Sequence, residues 1–116
     1  MSAFILHVTT RAAWTAAQQA GAYTADSLAS QGFIHCSTAG QVLRVANSIF
    51  KGQHGLVLLQ IDPSRLTSGL RYEPGTDAPD ELFPHIYGPL DLQAVTAVLD
   101  FEPGPDGTFS LPAGLG

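Results

Sequence analysis

Apolar residues recur with a helical period most clearly at Val42, Val45, Ala46, Ile49 and Phe50. Their i, i+3, i+4, i+7, i+8 spacing predicts an amphipathic helix closed by Gly52. A second helix is predicted at about Arg11 to Ala20, where Trp14, Ala17 and Ala20 share a face. Thr9 or Thr10 is placed to cap it and Gly21 to end it. Elsewhere the period is two or absent. Ala3 to Val8 reads as a strand with Phe4, Leu6 and Val8 on one face and Ile5 and His7 on the other. Phe33 to Cys36 is a short strand former. Leu56 to Ile61 has no polar residue until Gln60, the pattern of a central strand covered on both sides.

The rest of the chain is more broken. Ala22 to Gln31 reads as a loop holding Tyr23, with Asp26 or Ser27 as the cap of a short turn. Asp62 to Leu66 looks like a strand exit into one helical turn, Leu70 to Glu73 a strand, and Pro74 to Asp80 a polar loop. The prolines in Phe83 to Leu90 predict an edge strand or extended loop on which Phe83, His85 and Tyr87 share a face. A turn at Asp91 to Gln93 precedes a last strand, Val95 to Phe101. The tail from Pro103 is Gly/Pro-rich and expected to be loosely held, so the domain is taken as residues 1–102 and the tail as 103–116. Two early helices and mostly late strands, with no regular βαβ rhythm, predict one α+β domain with a mixed, mostly antiparallel split sheet.

Composition narrows the function classes. The chain has 116 residues, 45% apolar and 13% charged, enough to bury a core. Its net charge is −5, and its five basic residues, Arg11, Arg44, Lys51, Arg65 and Arg71, are scattered. Nucleic acid is therefore not an expected partner. No apolar run is long enough to span a membrane and no secretory signal is visible. A single cysteine, Cys36, fits a reducing cytoplasm.

Candidate chemistry gathers between Gly32 and Gln41. Thr38 and Gln41 have capping-box spacing, and strand-end side chains would meet helix-start amides there, an arrangement suited to an anion. Ser37 is a candidate contact for a phosphate or ribose; Thr38 is first a cap. Cys36 at a helix start would be a nucleophile, whereas as a buried residue it is a small hydrophobe. His7, His35 and His85 each sit in an extended segment, and if those strands adjoin, their imidazoles line one cleft. Any one of them alone is more often a hydrogen-bonded structural residue. His35 and Cys36 are adjacent on a strand and point to opposite faces, and no ligand-spaced Cys or His pair exists, so no metal site is expected. Arg71 and Glu73 share a strand face, either as an ion pair or with Glu73 as a general base. Tyr87 could stack on a flat ring or sit in the core.

The segments Leu6-His7-Val8-Thr9, Gly32 to Thr38, Val57 to Asp62, Leu70 to Glu73 and Phe83 to Leu90 together resemble the bacterial family called domain of unknown function 952 over about residues 4 to 101. More distantly that family resembles the ADP-ribosyltransferase superfamily, which binds NAD in the cleft of a split mixed sheet. The resemblance implies that His7 holds a ribose hydroxyl, that Ser37 and Thr38 contact the ligand, and that Glu73 is the late acidic residue. Val8 stands where a glycine is usual, and the surroundings of Glu73 do not match the usual motif. Three functions follow as expectations. The first is an ADP-ribosyl-class enzyme using NAD or a related ribose phosphate. There Glu73, His35 and His85 would be catalytic, and His7, Ser37, Thr38, Arg71 and Tyr87 would bind the ligand. The second is a non-catalytic nucleotide or metabolite-binding module. The third is a small His-dependent hydrolase or isomerase.

Overall fold

A computed structural model describes residues 4–75 and 78–115. Ala3 at the start of the first expected strand, and Thr76 and Asp77 in the expected polar loop, lie outside the described residues. The continuous apolar run becomes strand β4 (Leu56–Ile61), buried along its whole length. It lies between β1 (Ile5–Thr10) and β8 (Val95–Phe101), antiparallel to both. Such burial needs cover on two faces, and two apolar clusters supply it. Val57, Leu59 and Ile61 pack with Trp14, Ile34, Ile86 and Leu90. Leu56 and Leu58 pack with Val42, Ala46, Phe101 and Phe109.

Helix α1 (Arg11–Ala20) follows β1 directly. Thr10 Oγ1 accepts from the Ala13 amide at 3.0 Å, and Gly21 closes the helix with φ of 90°, a conformation that costs glycine little. Trp14 and Ala17 are buried while Ala20 is exposed. The expected loop after it contains a two-residue strand, β2 (Ala22–Tyr23), and helix α2 (Asp26–Gln31). The N-cap of α2 is Ala25, with no side-chain cap, so neither Asp26 nor Ser27 plays that part. Gly32, at φ of 88°, turns the chain into β3 (Ile34–His35).

A second three-stranded sheet has the order β3-β6-β5, with β5 at Gly69–Pro74 and β6 at Leu82–Tyr87. β2 pairs with the short β7 (Leu90–Asp91). Every strand pairing among the described residues is antiparallel, so no mixed sheet forms. The two larger sheets join at one bridge, where Leu6 and Ser37 exchange amide–carbonyl bonds of 2.8 Å.

β6 is the centre of its sheet and not an edge, despite Pro84. The Cys36 amide donates to the Pro84 carbonyl at 3.0 Å, so the position of the missing Pro84 N–H faces the β3 side, just beyond the end of that two-residue strand. No ladder bond to β5 is lost. Beyond it the Gln41 side chain donates to the Leu82 carbonyl at 2.8 Å.

The tail is anchored at Phe109, contrary to the expectation of a loosely held segment. Phe109 is buried and stacks on Phe101 at 4.6 Å, its amide donating to Asn47 Oδ1 at 2.7 Å. A turn in which Gly107 N–H reaches the Gly104 carbonyl shapes the segment for that contact.

Candidate functional site

The stretch expected to run straight from strand into helix does not do so. Helix α3 (Val42–Ile49) begins six residues after Cys36, and Ser37 to Gln41 link it to β3. Only half of the capping box forms: Gln41 Oε1 accepts from the Thr38 amide at 3.0 Å, but no side chain caps the helix. The Gln41 and Val42 amides both turn back to the Thr38 carbonyl. Ser37 and Thr38 therefore do not present an anion site at a helix start.

The apolar stripe of α3 divides between two surroundings. Val42 and Ala46 are fully buried in the core. Val45, Ile49 and Phe50 instead line a cavity of about 590 Å³, and Ile49 is 62% exposed. Imidazoles from three strands line the same cavity: His7 of β1, His35 of β3 and His85 of β6. Three extended segments thus bring one imidazole each to a single cavity. Ser37 and Phe83 line it as well, as do Ser27 and Gln31 of α2. His54 is elsewhere, exposed and paired with Glu102 at 2.8 Å.

The three imidazoles differ in their partners. His7 Nδ1 lies 2.5 Å from the His35 carbonyl, and Nε2 2.8 Å from the Tyr23 hydroxyl. A carbonyl only accepts, so Nδ1 carries the proton and Nε2 accepts from Tyr23. The Tyr23 hydroxyl also lies 2.9 Å from Thr9 Oγ1. Burial brings His7 down to about 4 from the ordinary 6.5, so the ring is neutral. With both nitrogens engaged inside the protein, His7 has no ring atom left for a ribose hydroxyl.

His35 Nε2 donates to Gln31 Oε1 at 2.8 Å, leaving Nδ1 without a hydrogen-bond partner among the described residues. Burial lowers its pKa, and His85, 5.5 Å away ring to ring, lowers it further. His85 is buried, stacks on Phe33 at 4.1 Å and donates from Nδ1 to Glu73 Oε1 at 3.1 Å. With Nδ1 donating, Nε2 is the ring's acceptor atom.

Glu73, Arg71 and Tyr87 do not line the cavity. Register puts Arg71 beside His85 and Glu73 beside Phe83. The Tyr87 hydroxyl donates to Glu73 Oε1, and the Arg71 guanidinium lies 5.2 Å over the Tyr87 ring. The Tyr87 bond chiefly, and the His85 bond next, hold the Glu73 carboxyl below its ordinary value, while the same carboxylate pushes the Tyr87 phenol up. The expected Arg71–Glu73 ion pair is thus replaced by a carboxylate shared between a phenol and an imidazole. Thr38 does not line the cavity either.

Cys36 lines the cavity from the core side, 4% exposed, and burial pushes its thiol far up. It is the small buried hydrophobe, not a thiolate. Among the described residues no three His, Cys, Asp or Glu side chains come together to hold a metal ion. Tyr23 and Gln31, which orient two of the three imidazoles, carried no sequence signal beyond polarity in a segment read as loop.

Residues 8–98 match the family model described as a protein of unknown function, DUF952. The chain belongs to the DUF952 family. The fold of this DUF952 chain is similar to the crystal structure of protein CC0527 from Caulobacter crescentus, with 33% identity, 93% of this chain and 94% of that one covered, and a TM-score of 0.83. The solution structure of CC0527 is also similar, at 33% identity, 90% coverage of both chains and a TM-score of 0.78. No curated protein matches the chain. No helix among the described residues is long and apolar enough to cross a membrane.

Proposed function

We propose that the cavity binds a ribose phosphate, NAD foremost, and that His85 backed by Glu73 is its catalytic base in ADP-ribosyl-class chemistry. The observation that carries this reading is the meeting of His7, His35 and His85 on one cavity of about 590 Å³, a volume within the range of cofactor sites, about 300–1,000 Å³. Support comes also from the pair of sheets joined at Leu6 and Ser37, which leaves Ser37 at the cavity wall while His7 holds the His35 carbonyl. In this scheme the nicotinamide leaves with the electron pair of its glycosidic bond. An acceptor hydroxyl forms the new bond to the ribose carbon, and its proton passes to His85 Nε2. The Glu73 carboxylate then stabilises the imidazolium. Glu73 acts through His85, since it does not line the cavity. The apolar side chains of Val45, Ile49, Phe50 and Phe83 offer a surface for a flat ring, the part first expected of Tyr87.

The test is thermal unfolding with NAD, ADP-ribose, nicotinamide and inorganic phosphate. A ligand at about 100 times its Kd adds about 2.7 kcal/mol to stability, a shift of several degrees in a domain this size. A shift with NAD or ADP-ribose but not with phosphate is expected; no shift with any at millimolar levels refutes the reading. One observation favours a His-dependent hydrolase or isomerase of a neutral, hydroxyl-bearing substrate instead. Arg44, the one Lys or Arg among the described residues lining the cavity, is held by both carboxylate oxygens of Glu81 at 2.5 and 2.6 Å.

A further inference from the structure

If the ligand is a ribose phosphate, its negative charge needs a counter-charge in a cavity walled largely by apolar side chains, because burying an unpaired ion is costly. The arginines do not supply it. Arg44 is neutralised by Glu81. Arg11 is paired with Asp100 and Arg65 with Asp62, Arg71 lies over Tyr87, and neither these nor Lys51 lines the cavity.

The imidazoles remain, and their partners separate them. His7 has both nitrogens engaged and is held neutral by burial. A proton on His85 would be matched by Glu73, leaving no net charge for a ligand. His35 alone combines an uncharged partner, Gln31 on Nε2, with an Nδ1 that has no partner among the described residues. The titratable groups around it are His85 from β6, with Arg71 of β5 beyond in the same register and Glu73 of β5 bonded to the His85 ring, and His7 of β1, which bonds its carbonyl. Buried Cys36 is its chain neighbour, and α2 contributes only the neutral Gln31 at hydrogen-bond distance.

We propose that His35 is the phosphate-binding residue of this cavity, and that it takes up a proton at Nδ1 as the phosphate enters. Gln31 is its positioning residue: its oxygen holds Nε2–H whether the ring is neutral or charged, so the proton gained goes to Nδ1. Burial and His85 keep the empty site's ring neutral near pH 7, so the proton arrives with the ligand. The assignment deepens the ribose-phosphate reading and rests on it.

The test is calorimetric titration with ADP-ribose, whose diphosphate does not itself ionise near neutrality, in buffers of different ionisation enthalpy. Adenosine serves as the uncharged probe. Uptake approaching one proton per ADP-ribose is expected, with affinity rising up to about tenfold per unit as pH falls through neutrality, and none of this with adenosine. His35→Gln, checked for an unchanged melting temperature, loses the pH slope for ADP-ribose. ADP-ribose binding with no proton uptake in the wild-type protein overturns the assignment, whether or not the variant folds. A slope that persists in the variant does the same. If ADP-ribose fails to bind at every pH, the ribose-phosphate reading falls and takes the assignment with it.

Discussion

Acidifying the protein should destabilise it through His7, and the size of the effect can be worked out. His7 is 8% exposed, and its pKa falls from 6.5 to about 4 on folding. The folded state therefore binds fewer protons than the unfolded chain between these values, and stability falls as pH falls through that window. The stabilisation is fully present above about pH 6.5. It should drop by about 2 kcal/mol at pH 5 and about 3 kcal/mol near pH 4, at about 1.36 kcal/mol per pKa unit. Urea unfolding of the wild type and of His7→Gln, at steps from about pH 7.5 to 5, isolates the contribution, because the other titrating groups are common to both proteins. The variant starts less stable, since the His35 carbonyl and the Tyr23 hydroxyl lose their partner. Its stability should nevertheless depend less on pH, so the two curves converge on acidification. Parallel curves would refute the assignment of a buried, neutral His7.

Two other predictions concern the outer cluster and the tail. Glu73→Gln should lower the Tyr87 phenol back toward its ordinary pKa, visible in an ultraviolet pH titration; an unmoved phenol would mean that the carboxylate is not its controlling partner. Phe109→Ala should cost about 3–5 kcal/mol, the range for removing a buried ring, and lower Tm by roughly 10–20 °C; a change under about 2 °C would show that the tail does not belong to the core.

The parts of the fold legible in the sequence were the longer, uninterrupted elements. α1, β4 and β8 have the expected bounds, because an uninterrupted helical or strand pattern over six or more residues leaves little choice of element. The pair β2–β7 was illegible: two residues carry no period. β6 was misjudged because Pro84 counts against a central strand only if its nitrogen faces a long neighbour, and β3 is short. At the site, the convergence of three histidines followed from their places in three extended segments once those segments met at one cavity. Their inequality did not. It depends on Tyr23, Gln31 and Glu73, which reach them across 16, 4 and 12 residues of sequence. The α3 stripe was a true amphipathic pattern, but a helical period cannot tell a core from a cavity, and Ile49 faces the latter.

Pro84 has one further consequence. A strand acts as a template, each outward amide and carbonyl inviting the next strand to continue alongside. At Pro84 the template lacks one letter, and at Leu82 the Gln41 side chain has already filled the next. The chain leaving β3 therefore finds nothing to copy after Cys36 and turns to Leu6. A single imino acid sets where one sheet stops and the other takes over, and so puts the seam of the molecule at the wall of its cavity.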